Sequence, residues 1–408
     1  MQVQNLYTKG HFMPKKHSEK KLGLYIHIPF CMKKCLYCDF YSIPAANEQL
    51  KSLYLEALML HFEEHSLQLA PYVIDSIYFG GGTPSLLSAE QMHMILKKLK
   101  KSFYISDKCE ITLEANPGTI DKAKLSSFRK SGINRLSIGC QSFFDSDLRV
   151  CGRIHNTRDN VRAMMDARDA GFKNINVDIM YGLPGQSLQN VLSSIERAIK
   201  LGAAHISLYG LKVEEGTPFY AMQTQRKLAL PDEDTESDMY FVACNLLRNN
   251  GYRHYEISNF AKPGFESVHN LKYWNCDEYV GFGPSAHSFF SGKRFNYKNS
   301  ASLYIKNFTE NYDGLGIVDK CIDVQFGTQM AEYVMLRMRL GEGINCEEFK
   351  KRFGRTFESM YLAKITPFLR SGHIVKTSTG YAFTEQGMYV SNYILSRIID
   401  FDMVIPGV

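Results

Sequence analysis

Tyr25-Ile-His-Ile-Pro-Phe-Cys31-Met-Lys-Lys-Cys35-Leu-Tyr-Cys38-Asp-Phe40 is the stretch on which the reading of this chain turns. Three cysteines fall within eight residues as CxxxCxxC, directly after an apolar, strand-like run over 22–28 that Pro29 stops. A loop presenting three thiols so closely can ligate three corners of a cubic [4Fe-4S] cluster, one thiolate per iron, and leaves the fourth iron open. An open metal position is what separates a reactive site from a closed structural one. Lys33 and Lys34 put positive charge inside the loop, which favours thiolates. Spacing alone leaves two plainer readings, a zinc site short of its fourth ligand and a set of free buried thiols. Zinc ligands usually come as two paired halves, however, and no second half follows.

The rest of the composition bounds the class. A chain of 408 residues buries a large core and has room for two or three domains, or for one barrel with an appendage. At 45% hydrophobic and 22% charged residues it reads as a soluble globular protein without a long disordered tract. No apolar run approaches the roughly 18 residues of a membrane span, and the N-terminus lacks the apolar core of a signal peptide. The expectation is a cytoplasmic protein. Net charge is +6, but residues 1–21 hold five Lys against one Glu, which is +4 and leaves +2 for the remainder. The basic character therefore belongs mainly to a tail, read as solvated, with peripheral contact to an acidic partner or membrane surface left open. A reducing compartment argues against disulfides. Cys109, Cys140, Cys151, Cys244, Cys276, Cys321 and Cys346 lack ligand spacing and read as small buried hydrophobes.

From 22 to 250, strand-like runs over 22–28, 74–79, 110–115, 135–139, 174–179 and 205–208 alternate with amphipathic stretches over 48–63, 89–100, 160–170, 187–201 and 233–248. Six β/α units predict an α/β fold with a parallel sheet, either a partial (β/α)6 TIM-like barrel or an open doubly wound sheet. In both, ligands gather at the C-terminal ends of the strands. The polar and glycine-rich segments fall there: Gly80-Gly81-Gly82-Thr83-Pro84, Glu114-Ala-Asn116-Pro117-Gly118, Gln141-Ser142-Phe143, Asp178-Ile-Met-Tyr-Gly182 and Glu215-Gly216-Thr217-Pro218. Successive glycines allow a backbone nest for an anion or a close steric approach, and equally a plain tight turn. Glu114, Gln141, Arg153 and Asp178, at or just past strand ends, supply acceptors for an ammonium and a ribose and a donor for a carboxylate.

Residues 251–318 read as an added β extension of short strands and turns over 252–260, 268–279, 286–290 and 294–297, rich in Tyr and Phe and holding Trp274. Residues 319–408 read as a C-terminal winged-helix-like α+β domain: a helix over 357–369, a hairpin from 373–376 and 380–383, and a helix over 385–399. Its basic charge is largely offset by Glu358, Glu385, Asp400 and Asp402, so a packing or partner role is expected and no nucleic acid.

The motifs carry a resemblance. CxxxCxxC with Tyr37 before its last cysteine, followed by Gly80-Gly81-Gly82-Thr83-Pro84, resembles the radical S-adenosylmethionine superfamily. Tyr25-Ile-His-Ile-Pro-Phe-Cys, Leu136-Ser-Ile-Gly-Cys-Gln-Ser-Phe, Asp178-Ile-Met-Tyr-Gly-Leu-Pro-Gly and Tyr255-Glu-Ile-Ser-Asn-Phe-Ala narrow it to the coproporphyrinogen dehydrogenase-like family, from about residue 22 onward. The resemblance implies that Cys31, Cys35 and Cys38 bind the cluster. It implies further that Tyr25, Tyr37, Gly81, Gly82, Thr83, Glu114, Gln141, Arg153 and Asp178 contact S-adenosylmethionine, which the reduced cluster cleaves.

Two details separate branches of that family. The dehydrogenase carries a fourth cysteine two residues after the third, where this chain has Phe40, and its N-terminal extension is longer. His269-Asn270-Leu-Lys-Tyr273-Trp274 matches the HNxxYW motif of the heme-binding branch, which implies heme contact by His269, Asn270, Tyr273 and Trp274. An imidazole beside aromatic faces suits heme, although such a cluster also occurs simply as packed core. The expected function is that of a heme chaperone passing heme to an acceptor protein, with a reductant such as flavodoxin or ferredoxin. The alternative is a radical enzyme acting on a tetrapyrrole, either making protoporphyrinogen or opening heme. Whether the chain is an enzyme stays open at this point.

Overall fold

The structure is a computed structural model that describes residues 20–45, 48–311 and 314–400. Of the basic tail read over 1–21, only Lys20 and Lys21 fall among them. The chain divides into two compact units. One takes the residues up to Met239 together with Glu278–Ile322, the other Tyr240–Asp277 and the chain from Asp323 onward. The stretch 251–318 is thus shared between units.

The first unit is built on six parallel strands, β1 (Lys21–Ile28), β2 (Val73–Gly81), β3 (Ile105–Ala115), β4 (Arg135–Gln141), β5 (Asn174–Tyr181) and β6 (His205–Gly210), adjacent in chain order. Helices follow them as α1 (Glu48–His65), α2 (Ala89–Ser102), α3 (Lys122–Ser131), α4 (Thr157–Asp169), α5 (Leu188–Lys200) and α6 (Glu233–Asn249), of which the part from Tyr240 on belongs to the second unit. This is the partial (β/α)6 barrel expected. Side-chain oxygens of Ser88, Asp121, Asn156 and Ser187 accept backbone N–H groups at the starts of α2 to α5 and fix where each helix begins. The open edge of β1 is extended by β7 (Tyr279–Phe282), which pairs with it in parallel, and then by β8 (His287–Phe290), β9 (Lys293–Tyr297) and β10 (Val318–Asp323).

Parallel strands covered on both faces usually read as continuous apolar runs. These alternate instead. Leu24, Ile26, Ile77, Phe79, Ile111, Leu113, Leu136, Ile138, Ile175, Val177, Ile206 and Leu208 form one buried face, against which the amphipathic helices pack. Because strand side chains point alternately to opposite faces, the intervening residues share the other: Tyr25, Tyr78, Thr112, Glu114, Arg135, Ser137, Asn176, Asp178, His205 and Ser207. The register sets Tyr25 beside Tyr78, Glu114 beside Ser137 and Asp178 beside Ser207. That face is polar and mostly buried, so its groups bond to one another. Asn176 Nδ2 lies 2.8 Å from Ser137 Oγ, 2.9 Å from Ser207 Oγ and 2.7 Å from Asp178 Oδ1.

In the second unit, strands Arg253–Glu256 and Asn259–Ala261 pair antiparallel. Residues 268–279, expected as strand and turn, instead begin with the helix Val268–Trp274. Its aromatic content favours strand, but Ser267 accepts from the Asn270 N–H and caps a helix there. Helices Phe326–Arg337, Cys346–Phe353 and Phe357–Arg370 precede a hairpin, Ile374–Lys376 with Gly380–Phe383, in which Ile374 faces Phe383. The helix expected over 385–399 is two, Glu385–Tyr389 and Ser391–Ile398, which interrupt at Val390. Met330, Tyr333, Phe349, Phe357, Tyr361, Ile365 and Ile394 fill the core of this winged-helix-like module. Of the seven cysteines read as buried hydrophobes, Cys109, Cys140, Cys151 and Cys244 are buried. Cys276 and Cys346 are half-buried, and Cys321, on the edge strand β10, is exposed. No helix of the described residues is long and apolar enough to cross a membrane.

Candidate functional site

The cysteine loop leaves β1 at Pro29 and is fixed by backbone bonds at both ends and in the middle. Phe30–Cys31 pairs with Ile43–Pro44, Ala45 N donates to Cys31 O at 2.8 Å, and Ile43 N to Pro29 O at 2.7 Å. Between them Leu36 N donates to Cys151 O and Phe219 N to Leu36 O, both at 3.0 Å. The three thiols are half-buried, and Cys31 Sγ lies 3.4 Å from Thr83 Oγ1. Lys33 and Lys34 are exposed. Burial pushes the Cys38 thiol up, while the Phe40 backbone and, less strongly, Lys34 oppose it. The lysines are therefore a minor influence on Cys38, and it is metal ligation that deprotonates such thiols.

The glycines of the second strand's end exist for close approach. A Cβ on Gly82 would lie 2.6 Å from Phe30 O, and one on Gly81 2.6 Å from the His27 ring, at a φ of +111° that side chains avoid. With only hydrogens there, Gly82 N reaches Ile28 O at 2.8 Å and the end of β2 lies against the cysteine loop.

Beside the loop, one chain of hydrogen bonds joins several residues read from the sequence. Arg153 donates through Nη2 to Tyr37 Oη at 2.7 Å and through Nη1 to Asn116 Oδ1 at 2.9 Å. Asn116 Nδ2 donates to Thr83 Oγ1 at 3.0 Å. Asn116 Oδ1 and Gln141 Nε2 both crowd over Gly139, within 2.8 and 3.0 Å of where a Cβ would stand. Gln141 is buried and holds φ +66°, a costly conformation for this residue and of the kind found where a site over-determines the backbone. Glu114 accepts from Tyr78 Oη at 2.8 Å and from Gly81 N at 3.2 Å, and Tyr25 stacks on Tyr78. Asp178 stands apart from this chain, held by Asn176 and Ser137. Arg153 follows the short helix Asp145–Val150, so that helix, not a strand end, delivers it.

Burial dominates the electrostatics of the site. Burial, with Asp178 adding to it, pushes the Glu114 carboxyl up to about 7, and burial also raises Asp178. Burial works against the Arg153 guanidinium, but Tyr37 and Cys35 more than offset it and keep it charged. Its buried Nε has no hydrogen-bond partner among the described residues. Three half-buried free thiols on one loop fit a [4Fe-4S] cluster on Cys31, Cys35 and Cys38. Two raised carboxyls and a buried guanidinium with a spare donor fit a zwitterionic, sulfonium-bearing nucleoside beside it. The cluster supplies one electron to that sulfonium when both are bound. Arg153 could hold a carboxylate, and Glu114 and Asp178 an ammonium and a ribose, in a site that is largely buried.

Asn116 and Tyr78 were not singled out in the sequence. Asn116 is two residues after Glu114, hence on the same strand face by period two, which was the available signal. The donation by Tyr78 depends on a neighbouring strand and left none.

In the second unit, His269 lies on the short helix Val268–Trp274, fully buried, with Nε2 2.8 Å from Tyr273 Oη. Asn270, Tyr273 and Trp274 are half-buried. The four residues share one helix, and the imidazole is engaged by its i+4 neighbour.

Residues 25–198 match the family model of the radical SAM superfamily, and 328–390 that of the HemN C-terminal domain. The chain is similar to the heme chaperone HemW of Bacillus subtilis (35% identity over 92% of this chain and 98% of that one). It is similar also to that of Lactococcus lactis subsp. lactis (33% identity, 93% and 98%). Its fold is that of the coproporphyrinogen III oxidase HemN from Escherichia coli, a radical SAM enzyme, at TM-score 0.80 and 23% identity over 94% and 91% of the two chains. Full-length likeness of this order, together with a three-thiol loop seated at the strand ends of a six-stranded barrel, places the chain in the heme chaperone HemW family of radical SAM proteins.

Proposed function

We propose that this chain is a heme chaperone that carries a [4Fe-4S] cluster and S-adenosylmethionine in the first unit, binds heme and passes it to an acceptor protein. Cys31, Cys35 and Cys38 are assigned to the cluster. Tyr25, Tyr37, Gly81, Gly82, Thr83, Glu114, Gln141, Arg153 and Asp178 are assigned to the nucleoside, with Asn116 positioning Arg153. His269, Asn270, Tyr273 and Trp274 are assigned to heme, with the Tyr273 hydroxyl moving off Nε2 when His269 ligates iron. A cytoplasmic location and a flavodoxin or ferredoxin as reductant belong to the same reading.

The observation that carries it is Phe40. It is 66% exposed beside the thiols, at the position where the dehydrogenase branch has its fourth cysteine. A hydrocarbon ring there neither ligates nor donates a proton, which favours carriage over oxidative decarboxylation of a porphyrinogen. Anaerobic protein with reconstituted cluster is titrated with heme, assayed for coproporphyrinogen consumption and analysed for 5′-deoxyadenosine. Stoichiometric heme binding that His269→Ala weakens, without porphyrinogen turnover, is the expected outcome. Turnover without heme affinity returns the chain to the enzyme reading.

A further inference from the structure

We propose that Cys244, His254 and Glu385 form a zinc site in the second unit, unrelated to the cluster and independent of the heme reading. The three come from separate elements, α6, the strand Arg253–Glu256 and the helix Glu385–Tyr389, yet one ligand atom from each lies within 4.8 Å of the other two. Thiolate, imidazole and carboxylate are the donor set of Zn2+, which binds them at about 2.0–2.3 Å in a tetrahedron. Closing on an ion therefore asks each side chain to move by roughly 1 Å or less.

The surroundings orient these donors as a metal site requires. His254 Nε2 lies 3.3 Å from Ile257 O, so the ring's N–H is directed at a backbone carbonyl and Nδ1 is left with its lone pair. Ligating histidines are commonly fixed in this way. Phe260 stacks on the same ring at 4.1 Å and 13° and holds its plane. Arg248 pairs with Oε2 of Glu385 and leaves Oε1 to turn to an ion. Cys244 is 1% exposed, so its thiol is sheltered from solvent oxidants.

The contrasting cluster is His61, Glu64 and His65 on α1, where the imidazole nitrogens of His61 are already taken by Tyr304 Oη at 2.9 Å and Tyr297 Oη at 3.1 Å. In the second cluster Ile257 O takes His254 Nε2, Arg248 takes Glu385 Oε2 and the Tyr240 hydroxyl neighbours Cys244, so an ion would share or displace these partners rather than meet two hydroxyls on one imidazole. With three protein ligands the fourth position falls to water, and the ion ties α6 and the strand after it to the C-terminal helix pair within one unit.

The test uses full-length protein with its cluster assembled, so that Cys31, Cys35 and Cys38 are occupied. It is equilibrated with zinc chloride, desalted and analysed for zinc and iron together. About one zinc per chain is expected in the parent, falling at least about fivefold in Cys244→Ser and in His254→Gln with iron unchanged. Cobalt(II) in place of zinc is expected to give a thiolate charge-transfer absorption that Cys244→Ser removes. Far-UV circular dichroism checks each variant, and should Cys244→Ser misfold, His254→Gln and Glu385→Gln decide. A parent that retains no zinc, or zinc that persists undiminished in the folded variants, overturns the site.

Discussion

The cysteine loop of the first unit and the His269 helix of the second were both read as ligand sites from short motifs, and they are built in opposite ways. In the loop, the backbone is committed and the side chains are not: the bonds of Pro29, Cys31, Leu36 and Cys38 fix the chain while the three thiols stay half-buried. In the helix, the side chain itself is committed, since His269 is fully buried with Nε2 against Tyr273. A rigid backbone carrying weakly engaged thiols is preorganised for a resident group. A ligand masked by a hydroxyl suits cargo, because binding exchanges one partner for another and release restores the first.

The widest gap between the two regions is expected on removing ligands. Alanine at any of Cys31, Cys35 or Cys38 should lower cluster iron at least about tenfold, read by iron analysis and EPR, because each corner has a single thiolate. Retention of the cluster in such a variant would break the comparison at its first term. Next in size is Gly82→Ala, whose Cβ meets the Phe30 carbonyl at 2.6 Å. Because backbone must shift, a loss of about 1–3 kcal/mol is expected by denaturant titration, together with poorer cluster assembly.

Asn116→Ala strips partners from both Arg153 and Thr83. S-adenosylmethionine affinity, measured by calorimetry, should fall roughly ten- to a hundredfold, the range for a hydrogen bond to a charged group. The Glu114 carboxyl gives a pH signature. Its value, raised to about 7 by burial first, means that the folded state holds the proton more tightly than the unfolded chain. Its contribution to stability is therefore full below the ordinary carboxylate range and is lost as pH rises towards 7. A cationic ligand demands the ionised form, so affinity should decline as pH falls below about 7, and Glu114→Gln should flatten both profiles. The smallest effect sharpens the second term of the comparison. Tyr273→Phe removes the hydroxyl that masks His269, so heme affinity should rise a few-fold while stability drops by about 1 kcal/mol. Weaker heme binding in Tyr273→Phe would mean that the hydroxyl serves the heme directly.

Legibility followed the range of the determining forces. Strand β5 was readable because Ile175, Val177 and Ile179 alternate with Asn176 and Asp178, a period that local stereochemistry imposes. The cysteine spacing was readable because a cluster of fixed size constrains neighbours in the chain. The helix Val268–Trp274 was misread because a β-favouring composition was overruled by a single cap at Ser267. The bonds of Arg153 to Tyr37 and Asn116, and the approach of Glu385 to Cys244 and His254, join residues distant in sequence and left no periodic trace.

The sequence by itself determined six β/α units, the thiol trio at the end of the first strand and the polar residues at the ends of the others. Each of these is encoded by neighbours a few residues apart. Only the tertiary structure decided that Asn116 links Thr83 to Arg153, that Gly81 and Gly82 serve close packing on His27 and Phe30, and that His269 is held by Tyr273 in a fully buried site. Those outcomes depend on strand register and on which groups lose water when elements pack, and neither is written in local spacing.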